Sequence, residues 1–148
     1  MNDKDLKIFI DSALNYFKET TQKEAVAGIP YVKGKDPVVL DFTGIIGISG
    51  KQKGCIYLTA PEKMLRDLGD IILGVANHEH QDLKDLIGEI ANTIAGNVRN
   101  VYGSSFLISV PAVVLGVPTD IIFPEEIPTF IVPFKWQEYR TYLAVGLE

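Results

Sequence analysis

DLKDLIGEIANTIAGNVRNVY, residues 82–102, is the longest periodic stretch of this 148-residue chain, and its reading decides the architecture. At about 100° per residue, Leu83, Leu86, Ile87, Ile90, Ile94, Val98 and Val101 form one continuous apolar stripe turned toward the core. On the opposite side Asp85, Glu89, Asn92 and Gly96 gather within about 80° of one another. Glu89 and Asn92 therefore stand side by side and point outward, with Asp85 one turn before them and side-chain-free Gly96 one turn after.

Upstream, Leu6, Phe9, Ile10, Ala13, Leu14 and Phe17 recur at helical spacing among charged residues, which predicts a first helix ending near Thr20. A polar connection through Gly28-Ile29-Pro30 and Gly34 follows. The runs Pro37 to Ser49 and Gly54 to Thr59 are rich in Val, Ile, Phe and Tyr and flank Gly50-Lys51-Gln52-Lys53, the pattern of a β-hairpin. Thr59-Ala60-Pro61-Glu62 has the spacing of a capping box, with Pro61 in the first turn of a second helix carrying Met64, Leu65, Leu68, Ile71 and Ile72. Asn77 to His80 is a polar break before the central helix. Downstream, Phe106 to Val110, Ala112 to Val117, Thr129 to Phe134 and Tyr139 to Leu147 read as strands. Helices and hairpins in separate blocks predict a single α+β domain over residues 1–148, its helices packed on a largely antiparallel sheet.

Composition narrows the function. With 14 Lys and Arg against 19 Asp and Glu, net charge −5 and no basic run, nucleic acid is not an expected partner. The uncharged stretch Asn100 to Thr119 is broken by Gly, Ser and Pro, so membrane insertion is not expected either. One cysteine and a charged N-terminal segment predict a reducing, cytoplasmic setting.

Most enzyme signatures are missing, among them the Walker A loop, the dinucleotide-binding glycine pattern, the nucleophile elbow and the zincin motif. His78 and His80 read as a solvated loop in preference to a metal site, since no third ligand lies nearby in sequence. Cys55, beside Ile56 and Tyr57, reads as a small buried hydrophobe and not as a nucleophile. Trp136 reads either as a partly exposed turn residue or as a dimer contact. Gly44, Gly47, Gly50 and Gly54 feed strands, not a helix N-terminus, so they suit bends and close backbone approach better than a phosphate cradle.

The outer face of the central helix is the better candidate. Asp, Glu and Asn there are what any solvated helix carries. Asparagine is nevertheless a poor helix former, and a mid-helix glycine costs about 1 kcal/mol against alanine. Two unfavourable residues beside Glu89 predict that something docks closely on this face.

The segment Asp85-Leu86-Ile87-Gly88-Glu89-Ile90-Ala91-Asn92-Thr93-Ile94-Ala95-Gly96-Asn97, followed by Pro111, resembles the Asp/Ser-x3-Glu-x2-Asn…Pro signature of the CheC/CheX/FliY family of chemotaxis phosphatases. The hairpin Phe42 to Leu58 is similar to that family's glycine-punctuated hairpin, and the resemblance extends from about Leu6 to Leu147. A single Glu-x2-Asn makes the chain more similar to CheX than to CheC, because Asp11-Ser12-Ala13-Leu14-Asn15 in the first helix lacks the spacing. Eighteen residues separate Asn92 from Pro111, a shorter connection than the family pattern has.

The resemblance implies hydrolysis of the aspartyl phosphate on a CheY-like response-regulator receiver domain. By similarity, Asn92 orients the attacking water, Glu89 pairs with the receiver's active-site lysine, and Asp85 and Pro111 are accessory, partner-binding residues. Gly96, on the geometric reading, gives the receiver room. The resemblance further implies Mg²⁺ held by the receiver, no metal or other cofactor on this chain, and a homodimer formed through sheet edges. Two alternatives stay open: a non-catalytic receiver-binding or flagellar-switch adaptor of the same fold, and an unrelated α+β protein in which Glu89 and Asn92 are only solvated.

Overall fold

A computed structural model describes residues 1–35, 38–74, 78–116 and 127–148. Along the chain run α1 (Asp3–Thr21), β1 (Ala25–Ala27), β2 (Tyr31–Val32), β3 (Phe42–Gly50), β4 (Gly54–Ala60), α2 (Glu62–Leu73), α3 (His80–Tyr102), β5 (Phe106–Ile108), β6 (Ala112–Leu115), β7 (Thr129–Trp136) and β8 (Tyr139–Leu147). The eight strands form one sheet in the order β1-β7-β8-β4-β3-β5, with β2 also on β7 and β6 also on β3. Every pairing is antiparallel. This is the expected α+β arrangement of helices on an antiparallel sheet, with the hairpin β3–β4 near its middle. The expected starts of the first hairpin run at Pro37 and of the polar break at Asn77, and the expected strand end at Val117, lie outside the described residues.

Strand alternation sorts the side chains between two faces. Ile46, Ile48, Ile56, Leu58, Val132, Phe134, Leu143 and Val145 join the helices in the main core, whereas Tyr57, Ile131 and Ala144 form a smaller cluster of their own. Into the main core α3 turns Leu83, Leu86, Ile87, Ile90, Ile94 and Val98, all buried. Each such burial stabilises by about 1.5–3 kcal/mol relative to exposure. Val101, the last member of the expected stripe, is instead 63% exposed, because it lies in the final turn, one residue before α3 ends at Tyr102.

Gly44 explains how closely α3 sits on the sheet. A Cβ built there would lie 2.7 Å from the carbonyl oxygen of Ile87 and 3.2 Å from Cβ of Ala91, so helix backbone packs straight onto strand backbone. At Gly50 a φ of +93° ends β3 in a conformation that favours glycine. A Cβ on Gly54 would collide with the carbonyl oxygen of Gly146 on neighbouring β8. Close approach and turn geometry thus account for these glycines, as expected.

Four local expectations are corrected. Thr59 does not cap α2: it is a fully buried residue of β4 whose Oγ1 accepts from the Leu40 amide at 2.7 Å and lies 2.9 Å from Thr43 Oγ1. Pro61 occupies the N-cap position, and Asp41 Oδ2 accepts from the Glu62 amide at 2.9 Å in place of a local cap. His78 is no solvated loop residue. Its ring is buried against Gly69, with Nε2 2.9 Å from Asp70 Oδ1, while His80 lies in the first turn of α3, 3.1 Å from Glu62 Oε1. Trp136 is core, 1% exposed, stacked on Phe17 and donating from Nε1 toward Thr21 Oγ1 and the Lys23 carbonyl. The polar connection after α1 holds β1 and β2, both paired to β7, a role their short and glycine-bounded runs do not advertise.

Gly44→Ala is expected to lower stability by about 1–3 kcal/mol, since neither backbone can yield locally. Urea unfolding followed by circular dichroism reads this as a lowered midpoint, and an unchanged midpoint would contradict the direct contact of α3 with β3.

Candidate functional site

One backbone contact and one side-chain contact orient α3 on the sheet. One is Gly44 beneath Ile87; the other is on the side of Gly88, where an added Cβ would lie 3.3 Å from Val113 Cγ2 and 3.5 Å from Cβ and Cγ of Pro111. With the apolar stripe inward, Asp85, Glu89 and Asn92 are exposed on the outer face, and Gly96 is half-buried with nothing within 4 Å of a built Cβ. The structure therefore brings four of the sequence-derived residues onto one face of one helix. The fifth, Pro111, stands in the connection between β5 and β6 and packs against Gly88, one turn before Asn92. A connection of that length thus suffices to return the proline to the helix.

The side chains on this face are sparsely tied. Asp85 Oδ1 accepts from Gln81 Nε2 at 2.9 Å, and Thr93 Oγ1 donates to the Glu89 carbonyl at 2.9 Å, which turns the threonine hydroxyl back onto its own helix. Glu89 lies within electrostatic reach of α1. Burial first, and the Glu89 charge second, push the Tyr16 phenol up to about 12. Asn92 and Gly96 open a groove of about 520 Å³ that continues along α3 to Asn100 and is walled by Leu107 and Ile108 of β5.

The chemistry such a face supports is positioning. The asparagine amide is not basic, but it carries an acceptor oxygen and two N–H donors and can hold a water in a fixed orientation. Beside it, the Glu89 carboxylate can pair with a cation brought by a partner. Among the described residues no group of three or more His, Cys, Asp or Glu side chains is placed to hold a metal ion. Burial pushes the thiol of half-buried Cys55 up, which disfavours the thiolate a nucleophile needs.

Sequence reasoning missed the continuation of the face through Thr93, Asn97 and Asn100. The signal was present in two further asparagines in the helix, Asn100 continuing the row of Asn92 and Gly96 and Asn97 beside it, yet the wall they face comes from β5, which helical periodicity cannot place. It also missed Tyr16, whose approach to Glu89 depends on how α1 crosses α3.

The profile of the family described as "Chemotaxis phosphatase CheX" matches residues 42–135, which takes in β3 through most of β7 and all of α3. Among solved structures, a CheC-like superfamily protein from Shewanella sp. PV-4 is 27% identical, with TM-score 0.88 over 100% of this chain and 99% of that one. A chemotaxis protein CheX from Desulfovibrio desulfuricans is 26% identical, with TM-score 0.87 over 98% and 99% of the two chains. A CheX–CheY–BeF3–Mg complex from Borrelia burgdorferi contains a chain 19% identical, with TM-score 0.78 over 97% of both chains, a similarity of fold. Comparison with curated proteins returned no match.

Tyr16 is expected to titrate near 12, and Glu89→Gln to move that titration downward while leaving it above the ordinary value of 10.0, because burial is the larger cause. Carbon-13 NMR of the tyrosine Cζ resonances against pH measures both. An unmoved Tyr16 titration in the variant would contradict the placement of Glu89 beside α1.

Proposed function

We propose that this chain, which belongs to the CheX family of chemotaxis phosphatases, hydrolyses the aspartyl phosphate of a CheY-like receiver domain with Asn92 and Glu89. The observation that carries the reading is the outer face of α3, where these two side chains stand exposed and side by side above an open Gly96. The similarity to a chain solved in complex with CheY supports a receiver as partner.

An acyl phosphate already carries a good leaving group, so the reaction needs an in-line water and charge control in preference to a strong base. Asn92 enters the receiver's site. Its amide oxygen accepts a hydrogen bond from the water, and its N–H groups donate toward a phosphoryl oxygen. The water oxygen forms the new bond to phosphorus while the bond from phosphorus to the aspartyl oxygen breaks. The aspartate leaves as carboxylate, and the water's proton passes to the departing inorganic phosphate. Glu89 accepts from the receiver's lysine and fixes the approach, Asp85 and Pro111 border the contact, and Gly96 leaves space for the partner's backbone. Held by the receiver's own carboxylates, Mg²⁺ would supply charge neutralisation on the phosphoryl oxygens, so no residue of this chain is needed to bind it. The chain works in the cytoplasm, where receivers are phosphorylated, and as a homodimer joined at sheet edges.

Decay of the phosphoryl label on receivers from the same genome, with Mg²⁺ present, tests the reading. Wild type is expected to accelerate decay. Asn92→Ala is expected to lose about 100-fold of that acceleration, the scale of a misplaced reactant, with its thermal unfolding unchanged. Glu89→Ala is expected to weaken receiver binding by about 2–5 kcal/mol. Receiver binding with no acceleration by wild type would favour the adaptor alternative, and full activity in Asn92→Ala would overturn the assignment.

A further inference from the structure

Beyond Asn92, α3 continues for two turns toward Asn100 along the open groove, whose far wall is Leu107 and Ile108 of β5. Leu107 is 47% exposed, an apolar wall facing solvent. Asn92, Gly96 and Asn100 follow one another at four-residue intervals, and Thr93 and Asn97 form a second row beside them, so both rows face one side of the helix. The fold makes no visible use of these amides. Among the described residues the side chains of Asn92, Asn97 and Asn100 make no hydrogen bond, although asparagine is a poor choice for a helix interior. Among the described residues Arg99 is the one formally charged residue lining the groove, and its Nε donates to the Phe106 carbonyl at 3.0 Å, which ties it to the rim.

This lining is selective in its chemistry. A primary amide presents a donor and an acceptor together, which is the complement of a peptide group. Among the described residues an anionic ligand would find a single cation, held by its Nε on the rim, and a cationic ligand would find no carboxylate in the lining. An uncharged main-chain segment with an apolar side chain to lay on Leu107 matches both the amides and the wall. Because the groove begins at Asn92, whatever fills it is held next to the reacting water.

We propose that this groove is the specificity subsite for the phosphorylated partner: an uncharged main-chain segment next to the partner's phosphoaspartate seats on Asn97 and Asn100, with Gly96 as the gap that admits it. The proposal rests on the phosphatase reading and adds to it the surface that selects among receivers. Asn97 and Asn100 are positioning residues that hold the partner and do not touch the reacting atoms.

The test uses the full chain with a phosphorylated receiver that wild type dephosphorylates, measuring kcat and KM separately, together with thermal unfolding. Gly96→Gln fills the gap with a side chain that helices tolerate better than glycine. It is expected to raise KM about tenfold or more with kcat within about twofold and a Tm no lower than wild type. The Asn97→Ala, Asn100→Ala double variant is expected to raise KM about tenfold, the loss of two neutral hydrogen bonds. An active wild type whose KM is unmoved by both variants overturns the subsite and leaves the phosphatase reading standing. A fall in kcat at constant KM also overturns it, since the groove would then act on the reacting atoms. A wild type that accelerates no receiver overturns both. Should Gly96→Gln lower the Tm, the double variant at exposed Asn100 and half-buried Asn97 decides.

Discussion

The contact between the carbonyl of Ile87 and the bare backbone of Gly44 is the constraint on which the functional face depends. A helix lying on side chains can roll by some tens of degrees as they repack, whereas a helix lying on backbone cannot. Gly44 removes the side chain that would hold α3 off the sheet, and the side chains of Pro111 and Val113 close on α3 at Gly88 on its flank. With rotation fixed from two sides, the six buried stripe residues from Leu83 to Val98 commit one half of the helix to the core, and Glu89 and Asn92 are committed to solvent.

That rigidity matters because the proposed reaction asks little of the protein except placement. Neither Asn92 nor Glu89 has to be an unusual acid or base. Each has to arrive at a partner's site together with the other, at a spacing set by one turn of helix. A site on a helix locked against a sheet meets that demand better than a loop would, and the open space at half-buried Gly96 lets a second backbone come as near to α3 as β3 does from beneath.

How legible this was in the sequence depended on the range of the determining contacts. The α+β arrangement, the hairpin, the three helices and the two faces of α3 follow from periodicity, which is local, and the same reading placed Asp85, Glu89, Asn92 and Gly96 on one outer face. The losses are all at long range. Thr59 looked like a helix cap because Thr-x-x-Glu before an apolar periodic run is the spacing of a capping box, but its hydroxyl is taken by Thr43 and Leu40 across the sheet. Trp136 looked peripheral because it borders a turn, yet strand alternation aligns it with Val132 and Phe134 in the core, and α1 lies over it. His78 looked solvated because its sequence neighbours are polar, while its partner Asp70 comes from α2; His80 is exposed, as expected, beside Glu62. The family resemblance added what periodicity could not, namely the chemistry to expect of an exposed Glu and Asn.

The most direct measurement of the central claim is amide NMR of the isotope-labelled chain titrated with a receiver whose phosphorylated form is mimicked by beryllofluoride and Mg²⁺. The account predicts that perturbed amides centre on residues 85–100 of α3 and on Val110, Ala112 and Val113 flanking Pro111, with little change on β1 and β2 at the opposite sheet edge. Perturbations concentrated on β1 and β2, with α3 silent, would contradict it.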